Sequence, residues 1–111
     1  MTHYEQGDIL LINFNPSKGH EPAKKRPALV VSATRVNYMT NLILLVPITT
    51  TDNHFPLHVP ISKGNVVEGF IQCEAARALD LSCRDDIKHL GSIDDETLSA
   101  VLEALGVVLG I

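Results

Sequence analysis

The sequence predicts a mainly β domain, a small and strongly bent barrel that ends in a single helix. Short apolar runs separated by turn residues recur before residue 94, as they do in small all-β folds. Residues 94–111 instead carry apolar side chains at helical spacing. The chain has 111 residues and contains no repeat, low-complexity segment or internal linker, so residues 1–111 are expected to form a single domain.

Three strands are predicted in the first half of the chain. Residues 7–14 are enriched in isoleucine and phenylalanine and end in a polar turn, which opens a loop through Lys25. Residues 27–33 are nearly all apolar, which indicates a strand buried on both faces. Residues 34–41 are predicted to be a connection with a short helical turn, and residues 42–48 form the third strand.

Two further strands are predicted after the polar loop at residues 49–54. Residues 55–61 alternate apolar and other side chains, but their two prolines favour an edge position, since proline cannot donate a hydrogen bond to a neighbouring strand. A turn at residues 62–65 leads into a strand over residues 66–73. Gly69 inside that strand predicts a bulge or a close approach of another backbone.

The last third of the chain ends in the predicted helix. Residues 80–86 are a polar connection, and residues 87–91 add a last short strand. Asp94 suits the N-cap of a helix whose first turn is acidic. The apolar stripe that should pack this helix on the sheet comprises Leu98, Val101, Leu102, Leu105, Val108 and Leu109.

Composition narrows the class of protein. No apolar run has the roughly 20 residues of a membrane span, and the N-terminus lacks the features of a signal peptide, so a soluble cytoplasmic protein is expected. Cys73 and Cys83 are expected to be reduced thiols, because cytosolic disulfides are rare. No metal site and no cofactor are predicted, since no histidine or cysteine has ligand spacing; this covers His3, His54, His58 and His89.

The net charge of −4 is unevenly distributed. Residues 94–111 carry four acidic residues and no lysine or arginine, which accounts for the whole excess. Between residues 18 and 35, by contrast, Glu21 is the only acidic residue among five basic ones, Lys18, Lys24, Lys25, Arg26 and Arg35. This segment either attracts a phosphate backbone or is an ordinary solvated loop.

Arg26 is expected at the rim of the domain. Pro27 has no N–H and fits the first position of a strand, so it holds Arg26 extended just before that strand. At the end of the third strand the apolar run gives way to three hydroxyl residues, beginning with Thr49 and Thr50. If the two strands are neighbours, Arg26 and Thr49 flank one groove.

Five short motifs stand in a fixed order along nearly the whole chain: Gly7-Asp8-Ile9, Pro16-x-x-Gly19-x-Glu21, Arg26-Pro27-x-x-Val30, Val46-Pro47-x-Thr49 and Arg77-x-x-Asp80. Together they resemble the MazF/PemK (Kid) family of toxin endoribonucleases. The resemblance implies an SH3-like β-barrel of the CcdB/Kid/MazF type, with residues 1–111 as one mRNA interferase toxin domain.

The resemblance also implies an activity and partners. Such a toxin cleaves single-stranded mRNA at specific sequences without metal, leaves 2′,3′-cyclic phosphate and 5′-OH ends, and thereby stops translation and growth. It forms a homodimer and is blocked by a cognate antitoxin, through which alone it would meet operator DNA. No membrane partner is implied.

The residues allow this chemistry. Attack by the neighbouring 2′-OH needs no protein nucleophile, only proton transfer and stabilisation of negative charge. The planar guanidinium of Arg26 can bind two phosphate oxygens, and the Thr49 hydroxyl can donate to another; the resemblance implies that the two residues act as a pair. As general acid and base the resemblance suggests His20 and Glu21, although His20 also fits an exposed loop residue and Glu21 an ion pair with Arg26.

Further residues are predicted to bind RNA, namely Lys18, Lys24, Lys25, Thr50, Arg77 and Asp80. Arg77 and Asp80 equally fit a surface salt bridge. The chain departs from the family at Ala75, where a glutamine is usual, and this affects the expected recognition of bases. Two alternatives stay open: a CcdB-like gyrase poison without enzymatic activity, and a relative that binds RNA or regulates its own expression without cleaving.

Overall fold

A computed structural model describes residues 3–14, 25–52, 54–82, 84 and 86–111. The strands within these ranges are β1 (Asp8–Asn13), β2 (Lys25–Val30), β3 (Leu42–Thr49), β4 (His58–Pro60), β5 (Phe70–Gln72), β6 (Arg77–Asp80) and β7 (Lys88–Ser92). The helices are α1 (Thr34–Met39) and α2 (Asp95–Leu109), and a 3-10 turn spans Cys73–Ala75. The predicted mainly β fold with a C-terminal helix is confirmed.

All strand pairs are antiparallel, in the order β4-β5-β3-β2-β1-β7, and β6 also pairs with β3. Strand β3 organises this sheet because its outer edge is shared between two strands. Ile48 and Thr49 pair with β5, whereas residues 42–45 pair with β6. The sheet is not closed, and β4, β6 and β7 are its edges, since each pairs with only one strand among the described residues.

The sheet separates two apolar cores. On the face turned toward α2, here called the helix face, Ile9, Leu29, Val46, Ile71 and Val101 pack together with neighbouring apolar residues. The opposite face, here called the distal face, has a core of its own, which comprises Leu10, Ile12, Ala28, Val30, Ile43, Leu45 and Leu81. Alternating residues of β1, β2 and β3 are thus buried on both sides, which explains their nearly continuous apolar sequence.

Helix α2 begins as predicted. The side chain of Asp94 accepts a hydrogen bond from the Thr97 amide at 3.2 Å, and Gly110 ends the helix in the left-handed conformation at φ 75°. The predicted apolar stripe is confirmed at Leu98, Val101 and Leu105, which pack in the helix-face core. It is wrong at three positions that are exposed, Leu102, Val108 and Leu109. Every residue from 107 to 111 is exposed, so the last turn extends beyond the core.

Several strands differ from the sequence prediction. Strand β2 begins at Lys25, and Pro27 is its third residue, opposite Leu11. Strand β5 covers only Phe70–Gln72 of the eight residues expected, and it ends where a 3-10 turn begins at Cys73. Strand β6 was not predicted at all.

No helix in the described part of the chain has the length and apolar content that crossing a membrane requires.

Candidate functional site

Arg26 lies at the rim of the distal face. It is the second residue of β2, its side chain is exposed, and it stands opposite Ile12 of β1. Paired residues of neighbouring strands project to the same face, and Ile12 belongs to the distal core. Burial begins two residues further along β2, at Ala28. The guanidinium group of Arg26 is therefore presented to solvent at the point where β2 emerges from the distal core.

Thr49 ends β3 at the same rim. Strands β2 and β3 are neighbours, with Ala28 opposite Pro47, and two more residues of this register place Thr49 opposite Arg26. By the alternation of side chains along a strand, Thr49 shares the distal face with Leu45. The arrangement expected from the sequence, with both residues beside one groove, therefore agrees with the strand order.

A close backbone contact fixes the position of Thr49. A Cβ atom on Gly69 would stand 2.3 Å from the carbonyl oxygen of Thr49, and Gly69 has φ 129°. Only glycine fits such a contact at this backbone angle. The tight approach predicted at Gly69 is thus confirmed. The Oγ1 atom of Thr49 in turn accepts a hydrogen bond from the Thr51 amide at 3.2 Å and orders the start of the next loop.

Arg77 also reaches the distal face. It stands opposite Leu45. Its guanidinium carbon lies 5.5 Å from the centre of the ring of Phe14, the residue that follows β1. This cation–π contact brings Arg77 to the end of β1, where Arg26 pairs with Ile12.

Asp80 is at the other end of β3 from Thr49, opposite Leu42. Seven residues separate Leu42 from Thr49, roughly 23 Å along a strand. Asp80 accepts hydrogen bonds from the amide and hydroxyl of Ser82, and these two bonds lower the pKa of its carboxyl group. Within the described residues Asp80 does not pair with Arg77. The two charged residues of the Arg-x-x-Asp motif therefore have different neighbours.

The remaining predicted site residues are divided between the described and undescribed parts of the chain. Lys25 pairs with Asn13 and, by alternation, projects to the face opposite that of Arg26. Thr50 is exposed at the bend after β3. The other predicted residues of the first loop lie outside the described residues, namely Lys18, His20, Glu21 and Lys24. Cys83 also lies outside them.

Two features of this region were missed by sequence reasoning. Arg84 donates a hydrogen bond from its guanidinium group to the carbonyl oxygen of Asn13, at the end of β1. His58, to which no chemistry was assigned, is only 3% exposed, and its Nε2 lies 2.9 Å from Oε2 of Glu74. No sequence spacing indicates either contact, because the partners are 16 and 71 positions apart along the chain.

The site thus combines exposed cations with a hydroxyl group on one rim. Arg26 and Arg77 share the distal face, and Arg84 is anchored at the adjacent end of β1. Such an arrangement can bind a phosphodiester and stabilise added negative charge on it. Among the described residues no group of three or more histidine, cysteine, aspartate or glutamate side chains is arranged to hold a metal ion. Metal-independent chemistry stays a prediction.

Comparison with known proteins agrees with this geometry. Residues 5–109 match the family described as the PemK-like, MazF-like toxin of type II toxin-antitoxin system. The chain is 30% identical to the endoribonuclease toxin MazF of Escherichia coli K12 over 106 residues, which cover 96% of this chain and 94% of the relative.

Solved structures give the same result. A crystal structure of MazF from Deinococcus radiodurans superimposes with a TM-score of 0.84 at 30% identity and covers all of both chains. A MazE-MazF crystal structure from the same organism gives a TM-score of 0.83 at 26% identity, covering 100% of this chain and 99% of the other.

Proposed function

The chain belongs to the family of PemK-like, MazF-like toxins of type II toxin–antitoxin systems, and from this premise we propose that it is a sequence-specific endoribonuclease that cleaves single-stranded mRNA. Its relatives in Escherichia coli are named as endoribonucleases. The observation that carries the proposal is the register of β2 and β3, which brings Arg26 opposite Thr49 when it is continued two residues past the pair of Ala28 and Pro47. Residues 1–111 act as one toxin domain.

The reaction proceeds by internal attack on the RNA backbone. The 2′-oxygen forms a bond to the adjacent phosphorus, the bond from phosphorus to the 5′-oxygen breaks, and no water is consumed. A base takes the proton from the 2′-OH, and an acid gives one to the leaving 5′-oxygen. The products are a 2′,3′-cyclic phosphate and a 5′-OH end, and the protein supplies proton transfer and charge stabilisation.

Arg26 and Thr49 stabilise the charge in this scheme. The fork of Arg26 binds two non-bridging oxygens of the phosphate, whose negative charge grows as the 2′-oxygen attacks. The hydroxyl of Thr49 donates to one of them. His20 and Glu21, which lie between β1 and β2 in the sequence, supply the acid and base. Neither role requires a metal ion.

Other cations extend the contact along the substrate. Arg77 shares the distal face with Arg26 and holds a neighbouring phosphate. Lys18, Lys24 and Lys25 add electrostatic attraction that weakens as salt increases. Thr50 lies at the rim after Thr49 and contacts the RNA there, while Asp80, at the far end of β3, contributes only if the RNA extends that far.

The partners follow from the family. The cognate antitoxin blocks the cationic rim with an acidic segment, in line with the MazE-MazF complexes among the similar structures. Operator DNA is met only through that antitoxin, and cleavage of mRNA places the activity in the cytoplasm. Two copies form a homodimer. The exposed apolar residues at the end of α2, Leu102, Val107, Val108, Leu109 and Ile111, offer a surface for that contact.

The proposal is tested by incubating the purified protein with a long single-stranded RNA in EDTA and mapping the ends by primer extension. We expect discrete cuts at one recurring short motif. Arg26→Ala should remove them while circular dichroism shows an intact fold. Arg35→Ala, which removes an exposed arginine from α1, is the matched control and should cut like the wild type.

Each other outcome is informative. Cleavage by Arg26→Ala at the wild-type rate contradicts the role of this residue, and silencing by EDTA contradicts the metal-free reaction. RNA that is bound but left intact indicates a relative that does not cleave. This alternative is considered because Ala75 stands where the family usually has glutamine. RNA neither bound nor cut favours the gyrase poison, which needs neither Arg26 nor Thr49.

A further inference from the structure

A cavity of about 540 Å³ opens on the distal face, away from Thr49. Its walls come from the residues before β1, the end of α1 and the segment after β6. His3 and Tyr38 stack across one wall with ring centres 4.2 Å apart and an interplanar angle of 21°. Tyr4 and Arg84 line it as well. The volume is within the range that small ligands occupy.

The aromatic wall is exposed although the cavity is partly apolar. Tyr38 is 55% exposed and Met39 79%, so both side chains are accessible to a ligand from solvent. Asn41, also on the lining, is exposed and has no hydrogen-bond partner for its side-chain amide within the described residues. The cavity thus offers a ring face for stacking and an amide that can both donate and accept.

One residue connects this cavity to the cationic rim. Arg84 lines the cavity, and its guanidinium group donates to the carbonyl oxygen of Asn13 at the end of β1. The next residue is Phe14, over whose ring Arg77 lies, and Asn13 stands opposite Lys25, the neighbour of Arg26. An RNA strand whose phosphate group is bound by Arg26 therefore passes a second cation, Arg84, before it reaches the cavity.

We propose that this cavity binds one unpaired nucleobase of the RNA, a few nucleotides from the phosphate held by Arg26. The inference rests on the proposed endoribonuclease function and adds a subsite to it. The base stacks on the aromatic wall, its edge bonds to Asn41, and Arg84 holds the phosphate that leads to it. Single-stranded RNA is commonly recognised in this way, through splayed bases on aromatic side chains. The subsite thus contributes to the choice of cleavage sequence.

The tyrosine content of the chain allows binding in the cavity to be measured directly by fluorescence. It contains two tyrosines and no tryptophan, and both tyrosines line the cavity. Intrinsic fluorescence therefore reports on this cavity alone. The probe is a short RNA carrying the mapped cleavage motif, with deoxyribose at the cleaved nucleotide so that no 2′-OH can attack. Anisotropy of an end label on the same RNA reports binding independently.

We expect binding to quench the tyrosine fluorescence of the wild type and of Tyr4→Phe, which leaves Tyr38 as the only reporter. Free N-acetyltyrosinamide at the same RNA concentration corrects for absorption by the bases. Binding seen by anisotropy without quenching would overturn the proposal. Absence of both signals, together with intact RNA in the cleavage assay, would instead contradict the proposed function itself.

Cleavage profiles provide the second readout. Tyr38→Ala should cut the same central motif, lose the preference at one flanking position, and lower kcat/KM about tenfold on the preferred RNA. Tyr38→Phe keeps the ring and should restore the preference. Val36→Ala, on the same helix but outside the cavity, is the matched control.

Asn41→Ala, at an exposed position, repeats the cleavage test if Tyr38→Ala does not fold. It removes the amide that would bond to the base edge and leaves the aromatic wall intact. We expect the same flanking position to lose its preference. An unchanged flanking preference in both Tyr38→Ala and Asn41→Ala would overturn the subsite.

Discussion

Gly69 lies so close to Thr49 that a methyl group on Gly69 would stand 2.3 Å from the carbonyl oxygen of Thr49. The glycine packs against the backbone of the residue that presents a hydroxyl group to the candidate site. The geometry of this rim therefore depends on a residue that has no functional group of its own.

Gly69→Ala is expected to reduce both stability and activity. The alanine must keep φ near 129° or displace the end of β3, so we expect a loss of about 2 kcal/mol or more in the free energy of unfolding and a large loss of cleavage rate. Gly64→Ala is the matched control, since Gly64 also has positive φ, at 95°, but nothing within 4 Å of the added atom. Urea unfolding and initial cleavage rates compare the two; equal effects would contradict a special role for Gly69.

Thr49→Val should lose about tenfold or more of the cleavage rate, because valine has the shape of threonine but cannot donate to a phosphate oxygen. It also removes the acceptor for the Thr51 amide. Thr49→Ser keeps both functions and should retain most of the rate, so it separates the loss of the hydroxyl group from the substitution itself. Single-turnover cleavage rates on RNA with the mapped motif measure this loss. Full activity of Thr49→Val would rule out a role for the Thr49 hydroxyl in cleavage.

Leu105→Ala is expected to destabilise the fold by about 2 to 5 kcal/mol, because this side chain is buried between α2 and the sheet. Leu109→Ala removes the same atoms from a side chain that is 70% exposed and should cost far less. Urea denaturation at several protein concentrations distinguishes burial in the core from contact between copies. An effect of Leu109→Ala that shrinks on dilution would place Leu109 in the homodimer interface, because dimerisation stabilises a copy only at concentrations at which the dimer forms.

Asp94 should make stability depend on pH in the acid range. Hydrogen bonds from Thr97 and Asn65 lower the pKa of its carboxyl group in the folded state. The stabilisation by the ionised group is thus complete above its ordinary pKa, near 4, and is lost as the pH falls through the lowered folded-state value. In Asp94→Asn this part of the acid sensitivity should disappear. Melting temperatures between neutral and acid pH measure it, with Asp95→Asn as the control of equal charge.

The elements that the sequence predicts well are those with a local signal. The apolar runs of β1, β2 and β3 predict these strands, and Asp94 marks the start of α2 by capping. Arg26 is exposed as predicted, although Pro27 is the third residue of β2 and not its first. Each of these features depends on residues that are close along the chain.

The elements that were missed depend on distant partners. Strand β6 has a mixed sequence, Arg-Ala-Leu-Asp, and it is a strand only because the edge of β3 between residues 42 and 45 accepts it. Helical spacing selects Leu102, Val108 and Leu109 for the core, but it does not show where the sheet under the helix ends. The approach of Arg84 to Asn13 joins residues 71 positions apart. None of these has a signature in a window of sequence.

The 3-10 turn at Cys73–Ala75 restricts how this protein can change its length. In β5 Ile71 pairs with Ile48, whereas in β6 Arg77 pairs with Leu45, so the register against β3 shifts by the three residues of the turn. Because three is an odd number, the shift brings Arg77 to the face shared by Thr49 and Leu45. An insertion or deletion of one residue here would invert β6 and point its arginine away from the substrate, so we expect relatives to vary the residues of this turn and to keep their number.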